Sequence, residues 1–151
     1  MRAVVLENIR SCYNVGSVVR VANFFGFDVI ISGYTPSPLE KEQVQKTSLW
    51  AEENINIFHY YNPLKALYFA KQQYGRLIAA ETENNAKEIA NLSVEDNLLA
   101  VVLGNEKEWI LRETLQKVDD VFYIHSIGDK SSLNVSQAAT VFMYHIHYSG
   151  S

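Results

Sequence analysis

Apolar residues along the 151-residue chain fall into short runs separated by stretches of helical period. Ala3-Val4-Val5-Leu6 and Val29-Ile30-Ile31 are continuous apolar runs, the pattern of strands buried on both faces. Ile55 to Tyr60 alternates and predicts a third strand, and Leu77–Ala80, Leu98–Leu103 and Val121–Ile124 predict three more. Between them the spacing predicts helices over Val15–Phe25, Lys41–Thr47, Pro63–Gln73 and Lys107–Lys117. A weak turn is expected near Lys87–Ala90 and a last helix over Asn134–Tyr148. Asn62 before Pro63 is an N-cap with proline in the first turn, and Gly75 suits the C-cap. Strands alternating with helices predict an α/β fold, a mostly parallel sheet flanked by helices. No repeat, linker or low-complexity segment interrupts the pattern, so a single domain over residues 1–151 is expected.

Composition narrows the class. At 48% hydrophobic and 20% charged residues the chain can bury a core, and disorder is excluded. A formal charge of −4 argues against gripping nucleic acid by bulk charge, so any basic surface must be local. Cys12 stands alone and cannot form an internal disulfide, which fits a reducing compartment. Glu7 and Arg10 fall before a signal-peptide core could form, and no run approaches the ~18 uncharged apolar residues of a membrane helix. The expectation is a cytoplasmic protein without a membrane partner.

The familiar catalytic motifs are missing. The seven glycines are too scattered for G-x-G-x-x-G, and neither a P-loop nor a G-x-S-x-G elbow occurs. The four histidines have no metal-ligand spacing, so no metal is expected. Three segments carry more information. In Asn14-Val15-Gly16-Ser17-Val18-Val19-Arg20, the arginine is the only charge on a helix apolar over most of its surface. It is either a solvated head or a cleft-facing anion binder. The run Leu98 to Leu103 ends abruptly in Gly104-Asn105-Glu106, at the end of a strand where open α/β sheets bind ligands. The same residues also suit an ordinary strand-to-helix turn with Asn105 as N-cap. Lastly, a polar loop from Ile124 to Asn134 leads into a helix without formal charge, apolar nearly all round. Such a helix must be covered on more than one side, and a second subunit is the natural cover.

Together these segments resemble the SpoU (TrmH-type) family of the SPOUT class, S-adenosylmethionine-dependent RNA ribose 2′-O-methyltransferases. Asn14-Val15-Gly16-Ser17-Val18-Val19-Arg20 is similar to the family's N-x-G-x-[IV]-x-R, and Leu103-Gly104-Asn105-Glu106 to its second motif. Gly128 with Ser132-Leu133-Asn134-Val135-Ser136 and Ala138 is similar to the third. The resemblance implies a homodimer with a C-terminal trefoil knot, and a chain holding the catalytic domain without a separate RNA-binding extension. It implies an S-adenosylmethionine pocket near Ala80, Gly104, Ile124, Ser132 and Leu133, with Asn14, Arg20, Glu106 and Asn134 around the target ribose. Arg20 would bind the adjacent phosphate and stabilise developing alkoxide, because a guanidinium is a poor general base. Arg10, Arg20, Lys41, Lys46 and Lys130 would form a local basic rim for RNA, contributed partly by each subunit, with tRNA preferred over rRNA. Two positions depart from the family pattern. Ile124-His125-Ser126 replaces Ile-Pro-Met, and Trp109 stands where the second motif has glycine, so both reshape the expected pocket. The alternatives are a non-catalytic RNA- or cofactor-binding dimer of the same fold, and a plain α/β ligand-binding module.

Overall fold

In the first strand, β1 (Arg2–Glu7), Val4 and Leu6 pack on one side of the backbone and Ala3 and Val5 on the other, all fully buried. A strand sealed on both faces sits inside a parallel sheet. The computed structural model describes every residue except Asp96, Glu106, Ser131 and Ser151. The chain continues through α1 (Cys12–Phe25), β2 (Asp28–Ser32), α2 (Glu42–Ser48), β3 (Ile57–Tyr60), α3 (Pro63–Tyr74), β4 (Arg76–Ala80) and β5 (Lys87–Glu88). It ends with β6 (Leu99–Gly104), α4 (Arg112–Lys117), β7 (Asp120–Tyr123) and α5 (Val135–Ser149). The strands form one sheet in the order β3-β2-β1-β6-β4-β7-β5, and every pairing is parallel.

The slot filled by β6 organises the rest. Its residues pair with β1 on one side, Leu6 opposite Leu103, and with β4 on the other, Ile78 opposite Val101. Two cores result. On one face Val4, Leu6, Val101 and Leu103 meet Val15, Val18 and Ala22 of α1 and Ala139, Phe142 and Ile146 of α5. On the other, Val5, Ala100 and Val102 meet Ala66, Leu67 and Ala70 of α3. Leu92 and Val94 join the first core, and the Leu92 carbonyl lies 2.9 Å from a ring nitrogen of His145 in α5. The last helix is thus covered by α1, the sheet and the segment before β6. An exposed stripe of Val141, Tyr144 and Tyr148 remains. Gly16 sets the distance between α1 and α2, since a Cβ there would fall 2.5 Å from Cβ of Thr47.

The expected caps form. The Asn62 side chain accepts from the Leu64 N–H, and Gly75 follows α3 at φ 73° with its N–H on the Lys71 carbonyl. Most element ends fall within two residues of the sequence expectation; α1 starts three residues early, where the Ser11 side chain accepts from the Asn14 N–H, and two further segments differ. The weak turn expected near Lys87–Ala90 contains β5, a two-residue edge strand paired with β7, followed by a 3-10 turn. The helix expected over Lys107–Lys117 begins only at Arg112. Two acceptors account for the shortening. Asn105 Oδ1 takes the N–H groups of Lys107 and Glu108, at 2.8 and 2.6 Å, and so makes a tight turn instead of a helix start. The Glu7 carboxylate, from the end of β1, accepts from the Leu111 N–H at 3.0 Å and the Thr114 hydroxyl at 2.5 Å. It thereby takes the backbone N–H of Leu111, the residue that caps α4.

Burial raises the pKa of Glu7 above the usual carboxylate range, against the lowering effect of its Thr114 and Leu111 hydrogen bonds. A carboxyl whose folded pKa is raised favours the fold most at acid pH, and that contribution is lost as pH rises through the folded value. Glu7→Gln is expected to flatten this part of the stability profile. Glu7→Ala, which leaves two buried partners unpaired, should cost about 2 kcal/mol. Urea denaturation between about pH 4 and about pH 8 checks both.

Candidate functional site

Parallel strands place all their carboxyl ends on one edge, and after β1 and β6 the chain leaves toward opposite faces of the sheet. Such a divergence opens a crevice suited to ligands. Beside it lies a cavity of about 370 Å³. Its walls are the segments after β4 (Ala80, Glu81, Thr82), at the end of β6 (Leu103, Gly104, Asn105) and after β7 (Ile124, His125, Ser126). Leu133, Val135, Ala138 and Phe142 close it from the start of α5. Leu103, Phe122 and Phe142 make an apolar floor, while Lys130, Ser132 and Trp109 stand at an open mouth. Floor and volume suit a nucleoside-sized ligand.

Local chemistry explains the wall after β6. A Cβ on Gly104 would lie 2.8 Å from the Ile110 backbone nitrogen and 2.9 Å from the Trp109 carbonyl carbon, so only glycine lets the chain double back here. Trp109 occupies the left-handed region at φ 63°, where a glycine is most at ease. The indole stands at the mouth, 55% exposed. The Asn105 amide anchors the turn to neighbouring loops by donating to the Asn8 carbonyl at 2.7 Å and the Tyr34 hydroxyl at 3.0 Å. Tyr34 in turn donates to Glu108 at 2.5 Å, and Arg10 forms an ion pair with the same carboxylate. The Tyr34 hydroxyl and then Arg10 hold the Glu108 pKa below its usual value.

Glu81 is the one carboxylate among the described residues of the cavity wall. Burial raises its pKa, while the N–H groups of Ile110, at 3.2 Å, and Thr82, at 3.1 Å, oppose the shift. Sequence reasoning missed this residue, although it follows β4 as directly as Asn105 follows β6.

The residues singled out from sequence are distributed unevenly. Ala80, Gly104, Ile124, Ser132 and Leu133 all line the one cavity, with Lys130 beside them. Asn134 adjoins it as the N-cap of α5, but its Oδ1 is engaged by the Ser136 N–H at 2.9 Å and hydroxyl at 2.7 Å. Glu106 lies outside the described residues. Asn14 and Arg20 are on α1 and do not line the cavity. Asn14 stands in the first turn, near the carboxyl edge of the sheet, and Arg20 is about 9 Å farther along the helix. Arg20 is exposed and has no ion pair or hydrogen bond among the described residues. Lys41 and Lys46 are exposed at the two ends of α2, and Arg10 is committed to Glu108. The five cations therefore do not form one continuous rim around the cavity of a single chain.

Residues 1–144 match the family model of the SpoU rRNA Methylase family. A Staphylococcus aureus (strain COL) protein assigned to the TrmH family of tRNA/rRNA methyltransferases is 30% identical over 146 residues, covering 97% of this chain and 58% of that protein. The chain thus spans less than two thirds of the length of such curated relatives. The fold is similar to the SpoU methyltransferase AviRb from Streptomyces viridochromogenes in complex with the cofactor AdoMet. The TM-score is 0.83 at 19% identity, over 98% of this chain and 59% of that one. A structure described as giving insight into 2-OH methylation of C/U34 on tRNA aligns with TM-score 0.85 at 18% identity, over 99% of this chain and 95% of that one.

Gly104→Ala should destabilise the protein by about 1–3 kcal/mol through overpacking at Trp109 and Ile110. Urea denaturation reads the loss, and an unchanged midpoint would contradict the pinned turn.

Proposed function

The chain belongs to the SpoU rRNA methylase family, and on that premise we propose that it methylates a ribose 2′-hydroxyl of RNA, using S-adenosylmethionine. The observation that carries this reading is the convergence of Ala80, Gly104, Ile124, Ser132 and Leu133 on one cavity at the carboxyl edge of the sheet. These residues would hold the cofactor, with the apolar floor taking its purine and Glu81 offering a polar partner. When bound, the cofactor supplies an activated methyl group.

The protein's own part is orientation and charge placement. A ribose hydroxyl is a poor nucleophile and must lose its proton as it reacts. A guanidinium is a poor general base, so the role of Arg20 is to bind the neighbouring phosphate and stabilise developing negative charge. With no ion pair or hydrogen bond among the described residues, its guanidinium is available to RNA. Asn14 and Glu106 belong to the same reading as groups around the ribose, and Asn134 holds the α5 N-terminus beside it.

The reading includes a homodimer. Phe24 is 80% exposed, Tyr144 57% and Tyr148 59%, and Phe25 links them, at 4.9 Å from Phe24 and 6.4 Å from Tyr144 between ring centroids. This aromatic surface on α1 and α5 is the face a second copy would cover. It also includes a C-terminal trefoil knot, on the resemblance of the sequence motifs to the family. Among RNAs we favour tRNA, because the structure concerned with tRNA is matched over 95% of its own chain. The cytoplasm is then the place of action. No described helix is long and apolar enough to cross a membrane.

Incubation with bulk tRNA and methyl-labelled cofactor, followed by mapping of 2′-O-methyl nucleotides, tests the function. Label at a ribose 2′ position supports it, and no incorporation here or in a parallel incubation with rRNA would sink it. Arg20→Ala should abolish incorporation and leave cofactor affinity, measured by calorimetry, within about twofold. Analytical ultracentrifugation should give twice the 17.2 kDa chain mass, and Tyr144→Glu should shift the protein to monomer. A monomeric parent protein would remove the dimer from the account.

A further inference from the structure

Trp109 holds a conformation that costs energy and recovers little for it. A bulky L residue at φ 63° is strained, and burial usually compensates such a position. Here the indole is 55% exposed, with no ring partner or hydrogen bond of its own among the described residues. Strain kept in place without packing to justify it points toward function. The backbone around it is well fixed, with the Trp109 N–H on the Asn105 carbonyl at 2.9 Å and Asn105 itself anchored to Asn8 and Tyr34. An aromatic side chain on a fixed backbone is therefore presented to solvent at the mouth of the cavity.

Charge says what such a face is for. The protein carries −4 overall, and Lys130 is the one cation among the described residues lining the cavity. Arg10, tied to the same turn, is neutralised by Glu108. An RNA brought to this mouth gains little from ion pairs, whereas an unpaired base on an aromatic ring gains affinity without regard to net charge. Resting on the methyltransferase reading above, we propose that Trp109 is a positioning residue for the substrate. Its indole stacks on the unpaired base of the nucleotide whose ribose is presented to the cavity, so the substrate is a single-stranded or looped segment rather than a continuous duplex.

Trp50→Phe leaves Trp109 as the only tryptophan and provides the probe. With S-adenosylhomocysteine saturating, a short single-stranded RNA should quench the Trp109 fluorescence, and the same sequence in a duplex should not. Trp109→Gly relieves the backbone, so its melting temperature should stay level or rise while RNA affinity falls by roughly tenfold or more. In turnover it should raise the KM for RNA more than it lowers kcat, and Trp109→Phe should restore most of the loss. S-adenosylhomocysteine affinity, by calorimetry, should change much less than RNA affinity in these variants. The proposal is overturned if RNA binds Trp109→Gly as tightly as the parent, or if Trp109 responds to S-adenosylhomocysteine alone and not to RNA. If calorimetry finds neither ligand binding to the parent protein, the methyltransferase reading falls and takes this inference with it.

Discussion

Everything in this molecule depends on β6 sitting between β1 and β4 in an all-parallel sheet. Parallel pairing brings the ends of β1, β4, β6 and β7 to one edge. The departures of β1 to α1 and of β6 to α4, on opposite faces, keep that edge from being covered by its own connections. Returning to the α1 face, α5 closes the side of the resulting cavity with Ala138 and Phe142. The candidate site is thus a consequence of strand order, and the loops only furnish it.

Furnishing the edge takes a few directional interactions. Gly104 permits the reversal, Asn105 spends its amide and its carbonyl oxygen on fixing it, and Glu7 supplies the missing acceptor for α4. The Arg10–Glu108 pair is exposed, and exposed pairs contribute little to stability. Its effect is on charge, since it removes a cation from the surface proposed to face RNA. An acidic protein that commits Arg10 in this way must find affinity elsewhere, in shape, in aromatic surface or in a second subunit.

Most of this was legible in the sequence where the chemistry is local. Buried strands such as Ala3–Leu6 announce themselves as apolar runs because both faces are sealed, and the Asn62-Pro63 start of α3 reads from capping rules alone. The five cavity residues came from motif resemblance, and the switch-point rule independently pointed to Gly104. What escaped depends on distant partners. The late start of α4 follows from a carboxylate at Glu7, 104 residues earlier. The pairing of Arg10 with Glu108 spans 98 residues, so a charge that looks free in sequence is bound in the fold. β5 is two residues long and has no periodicity to detect. Glu81 carries no signal in the sequence, because its significance lies only in which cavity it borders.

The central claim is that the cavity at the ends of β4, β6 and β7 is the S-adenosylmethionine site. Backbone amide chemical shifts recorded while S-adenosylmethionine is titrated into the isotope-labelled protein test it most directly. The account predicts saturable shifts centred on Ala80, Gly104, Ile124 and Leu133, with Asp28 and Asn56 at the opposite edge of the sheet unmoved. Saturation accompanied by shifts clustered away from those four residues, or no shifts at all, would contradict it.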